Sequence, residues 1–426
     1  MGKKVWIGMG IAILVACLPG LKAERIPTPW DGKFREVPAA YPFDISALPF
    51  KPASGVKAVM LAGADFKGKP TKVFCWYGVP ECKNGKAVPG IVLVHGGGGF
   101  AFSRWVEMWN KRGFAAIAVD TCGNTPAHDW ESRKYKPQRH MAHGATEKEK
   151  YQVDIPQNDQ WSYQAVAAVI TANSFLRSLK MVDSTKIGVT GVSWGGYLTL
   201  LAAASDERFA FAIPVYGCGY YDGTHFKTAM LKRKRTEADI ATWCKLWDPA
   251  NYLANAKMPL LMVNGTDDFF FHPDAWVKTT HIPDNIYMAV RVHMKHSHTE
   301  ADVPVVYSFA RKAVENKSFP QLVSEGIKDG NAFAVFKNCS DVVRAEYSYT
   351  ADSVSSKKRK WTTVPVTFTP GSRITLTCPV PATACSGFFS VFTGKKYPET
   401  MGLAKNYGKL PVYSSSRPLY TITNNK

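Results

Sequence analysis

The hydrophobic positions of the chain fall into two regimes. Up to about residue 315, continuous apolar runs alternate with longer stretches of helical period. Ile91-Val92-Leu93-Val94, Phe114-Ala115-Ala116-Ile117-Ala118-Val119-Asp120, Phe209 to Val215, Pro259-Leu260-Leu261-Met262-Val263 and Tyr287-Met288-Ala289-Val290-Arg291-Val292 read as strands, as does Lys186 to Thr190. Apolar runs without polar alternation are what strands covered on both faces require. Helices are expected over about Phe102 to Arg112, Trp161 to Leu179, Gly195 to Ala204, Asp274 to Thr280 and Val303 to Val314. Strand, glycine loop, helix and strand over residues 91–120 form a βαβ unit, which implies a parallel sheet. Ahead of it, Val56 to Leu61 and Thr71 to Tyr77 read as two antiparallel strands, with Gly63 and Gly68-Lys69-Pro70 punctuating the turn. Residues 24 to about 50, with Pro27, Pro29, Trp30, Pro38, Tyr41 and Pro42, read as an extended arm packed on the body.

Beyond about residue 325 the segments become short and alternating, as in Ala332-Phe333-Ala334-Val335-Phe336 and Arg373-Ile374-Thr375-Leu376-Thr377. That pattern predicts a small all-β, sandwich-like accessory domain over 326–426, after a main domain over 24–325. Two polar stretches interrupt the main domain. Residues 121–158 are too long for a plain connector and are expected to be a functional loop or lid. Residues 217–250 contain Lys232-Arg233-Lys234-Arg235, which reads either as a solvated helix face or as a patch for an acidic ligand.

Composition changes this picture little, except at the N-terminus. Hydrophobic residues make up 46% of the chain and charged residues 20%, ordinary for a globular protein, with a formal net charge of +19. Lys3 and Lys4 precede an apolar run from Val5 to Ala16, followed by Pro19, Gly20 and Ala23. The run is too short for a membrane span and reads as a signal peptide over 1–23, cleaved after Ala23, which predicts a secreted or periplasmic protein. Leu14-Val15-Ala16-Cys17 also resembles a lipobox, in which Cys17 would carry a lipid anchor. Eight further cysteines are an even number in an exported chain, so disulfides are expected, with Cys75–Cys82 and Cys218–Cys244 as pairings. The absence of any C-x-x-C pair argues against zinc. No nucleic-acid partner is expected.

The candidate chemistry centres on Gly191-Val192-Ser193-Trp194-Gly195, between a β-branched run and a helix. In a strand–turn–helix setting this G-x-S-x-G projects the serine hydroxyl into solvent. A serine is a poor nucleophile until a base takes its proton, and that base needs an acid to fix its tautomer. Asp267 and Asp268 follow a later apolar strand, and His296 and His298 follow the next. Serine, acid and histidine thus stand in order at strand ends. The oxyanion would be held by the Trp194 backbone N–H and by the His95-Gly96-Gly97-Gly98-Gly99 loop, at Gly97 and Gly98. The Trp194 side chain is expected to pack beneath the turn. Other readings are weaker: the glycine loop matches no phosphate-binding pattern, the Asp pair could be turn residues, and His293, His296 and His298 could form a metal cluster.

On these residues the chain resembles the α/β-hydrolase superfamily. Within it, the chain looks like the secreted acetylxylan-esterase and dienelactone-hydrolase-like group, with prolyl oligopeptidases as more distant relatives. The resemblance rests on Val94 to Gly99, Arg112 to Asp120, Ile187 to Tyr197, Trp247-Asp248-Pro249-Ala250-Asn251-Tyr252-Leu253 and Asn264-Gly265-Thr266-Asp267-Asp268-Phe269, and covers roughly residues 55 to 315. It implies a doubly wound, mostly parallel sheet and a serine esterase that acts on a carbohydrate ester without cofactor or metal. It selects Asp268 over Asp267 as the acid. It places the base between the last strand and a helix; spacing from Arg291 favours His298, with His296 as the alternative.

Overall fold

The computed structural model describes residues 24–82, 85–128, 137–297, 304–353, 359–394 and 412–420. The expected signal peptide, its cleavage point and Cys17 lie outside the described residues. Within them, no helix is long and apolar enough to cross a membrane.

The first eleven strands, in chain order, are β1 (Ala40–Pro42), β2 (Lys57–Ala62), β3 (Lys72–Gly78), β4 (Val88–Val94), β5 (Ala115–Val119), β6 (Asn124–Thr125), β7 (Gln138–Arg139), β8 (Val182–Val192), β9 (Phe211–Val215), β10 (Leu260–Asp267) and β11 (Ile286–Lys295). Nine of them form one sheet in the order β1-β2-β3-β5-β4-β8-β9-β10-β11. The pairings among β1, β2, β3 and β5 are antiparallel, and those from β5 onward are parallel. The parallel strands are those read as continuous apolar runs, and β5 and β9 are buried along their whole length. β6 and β7 pair as a small hairpin in the expected loop region.

The helices are α1 (Ser103–Asn110), α2 (Trp161–Ser178), α3 (Trp194–Ser205), α4 (His225–Lys232), α5 (Glu237–Trp247), α6 (Pro273–Thr279) and α7 (Pro304–Val314). α3 is buried at every position, because its sequence WGGYLTLLAAAS is apolar or small all round. Thr199, its one polar mid-helix residue, donates its hydroxyl to the Gly195 carbonyl one turn back. The N-terminal arm docks as expected: Trp30 is buried, its indole N–H donates to the Tyr163 carbonyl, and its ring stacks on Tyr163.

The C-terminal region contains β12 (Gln321–Lys328), β13 (Asn331–Lys337), β14 (Val342–Thr350), β15 (Thr362–Val366), β16 (Arg373–Pro379), β17 (Ser386–Thr393), β18 (Tyr413–Ser415) and β19 (Leu419–Tyr420). They form two antiparallel sheets, β12-β13-β16 and β15-β14-β17-β18, with β19 also on β17. Inward residues of both, among them Phe336, Leu376, Tyr347 and Phe389, share a separate small core. This unit covers the edge of the main sheet. The Val290 N–H of β11 donates to Ser415 Oγ (3.0 Å), and Ser414 Oγ donates to the Met288 carbonyl (3.3 Å). An otherwise open edge is thereby closed by side chains instead of a further strand.

A buried ion pair fastens the same contact. Arg417 pairs with Glu325 at 2.8 Å and also donates to the Thr280 hydroxyl and carbonyl. Burial pushes the Glu325 carboxyl up even with Arg417 beside it. Arg417→Ala would leave that carboxylate buried and uncompensated, so a loss of about 3–5 kcal/mol is expected at neutral pH. A carboxyl raised in the folded state favours the protonated form, so its contribution to stability is present at acid pH and lost as pH rises through the raised value. The deficit of Arg417→Ala in thermal unfolding should therefore shrink on acidification.

The cysteine expectation is corrected. All eight described cysteines are free, so neither Cys75–Cys82 nor Cys218–Cys244 is a disulfide. Cys75 sits on the central part of β3, wholly buried in the apolar core, whereas Cys82 lies outside that strand in the segment leading to β4. Cys218 is likewise wholly buried, just past β9, while Cys244 is only half-buried on α5.

Candidate active site

Ser193 occupies the turn between β8 and α3 at φ 62°, ψ −120°, a backbone position costly for a residue with a side chain. The turn is held by its own hydrogen bonds: Ser193 N–H donates to the Val215 carbonyl and Tyr197 N–H to the Ser193 carbonyl. Its tightness explains the flanking glycines. A Cβ at Gly191 would stand 2.3 Å from the Gly195 carbonyl oxygen, and one at Gly195 would stand 2.0 Å from the Val94 carbonyl oxygen.

Asp268 follows β10 and is wholly buried. Its Oδ1 accepts the N–H groups of Phe270 (2.8 Å) and Phe271 (3.2 Å), which aims Oδ2 outward. Oδ2 lies 3.1 Å from His296 Nδ1, and His296 Nε2 lies 2.9 Å from Ser193 Oγ. A carboxylate only accepts, so Nδ1 carries the proton and Nε2 presents its lone pair to the serine hydroxyl. The imidazole is gripped by Tyr216, Phe270 and Phe271, with ring centroids 4.6, 4.8 and 5.8 Å away. Tyr216 is fixed in turn by donating its hydroxyl to the Lys295 carbonyl.

The geometry brings the alternative histidine into place. His296, the alternative, stands between Ser193 and Asp268; His298 lies outside the described residues. The reason is a bulge. Gly265 pairs with Arg291 and Asp267 with Lys295, so Thr266 alone faces Val292, His293 and Met294. His293 takes φ 59°, and its N–H donates to Thr266 Oγ1. Gly265 permits the crowding, since a Cβ there would stand 2.0 Å from the Met294 carbonyl oxygen. The strand therefore runs to Lys295 and delivers His296 directly at its end. The alternative acid, Asp267, faces His293 (3.4 Å) and takes no part in the chain to Ser193. His293 and His296 thus face different aspartates.

The glycine loop brings a second correction. Gly98 N–H donates to Glu147 Oε2 at 2.6 Å, so this amide is already engaged. Gly97 N–H has no hydrogen-bond partner among the described residues, and the Trp194 N–H is at the open N-terminus of α3. A Cβ at Gly97 would stand 2.7 Å from the Trp194 ring, so the two amide-bearing segments lie against each other. Trp194 packs as expected, with Tyr151, Trp161, Tyr197, Tyr221 and Phe226 around its ring.

Sequence reading missed Glu147. It lies in a short capped turn, Thr146 to Lys150, within the stretch read as a lid. Its Oε1 pairs with Lys150 Nζ at 2.6 Å, and that ammonium lies 4.5 Å from the centre of the Trp194 ring. Burial would push the Glu147 carboxyl up; the Lys150 charge and the hydrogen bonds from Lys150 and Gly98 outweigh it and hold the carboxyl below its ordinary value. The clamp is therefore complete above the ordinary carboxylate range and lost only as pH falls through the depressed value. Glu147→Ala should lower kcat by about 10–100-fold with KM nearly unchanged, because it releases the loop that shapes the oxyanion site. Unchanged kcat would show that the loop keeps its shape without the carboxylate. The signal available in sequence was only Thr146-Glu147-Lys148-Glu149, a capping pattern with no hint of its distant partner.

Comparison with known proteins agrees with this architecture. Residues 149–302 match the prolyl oligopeptidase family, Peptidase_S9. An acetyl xylan esterase from Paenibacillus sp. R4 superposes with a TM-score of 0.50 at 19% identity, over 69% of this chain and 97% of that one. Acetyl xylan esterase 1 from Thermoanaerobacterium sp. JW/SL YS485 superposes with a TM-score of 0.50 at 16% identity, over 66% of this chain and 89% of that one. The protein has the α/β-hydrolase fold. The stretch similar to the prolyl oligopeptidase family contains Ser193, Asp268 and His296.

Proposed function

We propose that this protein hydrolyses ester groups, acetyl foremost, on carbohydrate through an acyl-enzyme on Ser193. The observation that carries the reading is the hydrogen-bonded chain from Ser193 Oγ through His296 to buried Asp268. Ser193 Oγ attacks the ester carbonyl as His296 Nε2 accepts its proton, and Asp268 stabilises the imidazolium. The Trp194 and Gly97 amides receive the oxyanion. His296 then returns the proton to the departing alcohol, and water activated by the same imidazole releases the acid. The chain's own residues supply each of these steps.

The preference for a carbohydrate ester has two supports. Both structural neighbours described above are acetyl xylan esterases by name. Glu147, beside the glycine loop, is committed to Gly98 and Lys150, so it is not a free acid able to hold a peptide's N-terminal amine. The signal-like N-terminus supports an extracellular or periplasmic location. The test is release of acetate from acetylated xylan, pectin and p-nitrophenyl acetate beside aminoacyl anilides. Acetate release with no anilide cleavage is expected. Anilide cleavage with no acetate release would overturn the reading in favour of an exopeptidase.

A further inference from the structure

The basic run begins at Lys232, the last residue of α4, and continues through the turn 233–235 that leads to α5, with Lys234 at φ 61°. Only Lys232 belongs to a helix; the other three basic residues stand in the turn. Together with Lys148, Tyr151 and Gln152 it lines an open bay of about 430 Å³. That volume is within the range of small-ligand sites. The two walls come from the two insertions of the main domain, and each packs a ring on Trp194, Tyr151 from one and Phe226 of α4 from the other. Tyr151 packs its ring on Trp194, the residue after the candidate nucleophile, and Trp243 of α5 packs on Tyr151.

The charges of the bay are poorly compensated. Arg235 faces Asp154 at 3.4 Å. Lys148, Lys232, Arg233 and Lys234 form no ion pair among the described residues. The C-terminus of α4 offsets part of this charge, through its partial negative end. It does not account for Lys148, which comes from the opposite wall. The Arg233 guanidinium lies 5.2 Å from the centre of the Tyr151 ring, so one fork of donors is partly held in place before any ligand arrives. Gln152 adds an amide able to meet hydroxyl groups.

We propose that this bay binds the anionic group of an acidic oligosaccharide, a carboxylate or sulfate, and thereby positions that chain's ester at Ser193. The proposal rests on the carbohydrate-esterase reading above and narrows its substrate class. Arginine forks pair with carboxylate and sulfate oxygens and lysine ammoniums add point charges, and an approach from bulk solvent suits a polymer. A single concavity one aromatic ring from the elbow fits a sugar substituent better than the long track of contacts a nucleic acid needs.

The experiment is calorimetric titration of full-length Ser193→Ala protein with trigalacturonate, a sulfated trisaccharide and neutral xylotriose, at low and high salt. The anionic trisaccharides should bind at least about tenfold more tightly than xylotriose, the equivalent of one charge-assisted hydrogen bond. That preference should fall with added salt. K232Q/R233Q/K234Q should abolish it while leaving the thermal transition in place; if this variant fails to fold, Lys148→Gln alone should reduce the preference. Stronger binding of trigalacturonate or of the sulfated sugar identifies which anion is read. Equal binding of acidic and neutral sugars, or binding of anionic vesicles or RNA in preference to both, would overturn the proposal. Failure of the esterase reading is separate: it shows as no turnover of p-nitrophenyl acetate by the wild-type protein.

Discussion

Ser193→Ala should lower kcat for p-nitrophenyl acetate by about 10⁶-fold, leaving only the residual catalysis that binding and oxyanion donors supply. The reason is geometric. Ser193 is held at φ 62° with its hydroxyl 2.9 Å from His296 Nε2. Among the described residues, no other hydroxyl is hydrogen-bonded to the imidazole. Alanine also has a Cβ and must occupy the same strained backbone, so the turn should survive the change. Thermal unfolding within a few degrees of wild type, together with the loss of turnover, separates a chemical effect from a folding one. Turnover close to wild type would sink the mechanism.

His296→Ala should cost nearly as much, about 10⁵–10⁶ in kcat, because nucleophile and base act as one unit and their losses do not add. His298→Ala should leave the chemical step largely intact. The double variant Ser193→Ala with His296→Ala should be no slower than Ser193→Ala alone. Imidazole added to His296→Ala gives a further readout: a cavity lined by Tyr216, Phe270 and Phe271 is shaped for that ring, and partial recovery is expected. If only His298→Ala is inactive, the assignment from geometry is wrong.

Much of the architecture is legible in the sequence. The buried parallel strands are long apolar runs, and burial on both faces leaves few alternatives for such runs. The elbow was legible because a tight turn needs glycine at 191 and 195. Asp268 was legible from the resemblance, and its buried carboxylate fits that reading. The base was not, because its position depends on a strand end. A bulge at His293 adds residues to β11 without interrupting its hydrophobic pattern, so the strand runs to Lys295 and not to Val292. Nothing in the order of residues shows that Gly265 has made room for the Met294 carbonyl.

Glu147 and Gly98 were hidden for a related reason. They lie far apart in the chain, and the hydrogen bond between them forms only when the capped turn Thr146 to Lys150 comes to lie against the glycine loop. The cysteines failed in the opposite direction: their even number suggested bridges, but their burial class and strand positions left them as free thiols.

By itself, then, the sequence determined the class of fold, the order of serine, acid and histidine, and the location of the elbow, because each depends on local periodicity or on a steric demand within a few residues. The tertiary structure decided which histidine meets the serine, which loop amide stays open and where the basic turn points. Those outcomes depend on strand register, on a bulge and on contacts between distant segments. Local sequence does not encode such choices; they are settled by which arrangement buries the surrounding aromatic rings and pairs the buried polar groups.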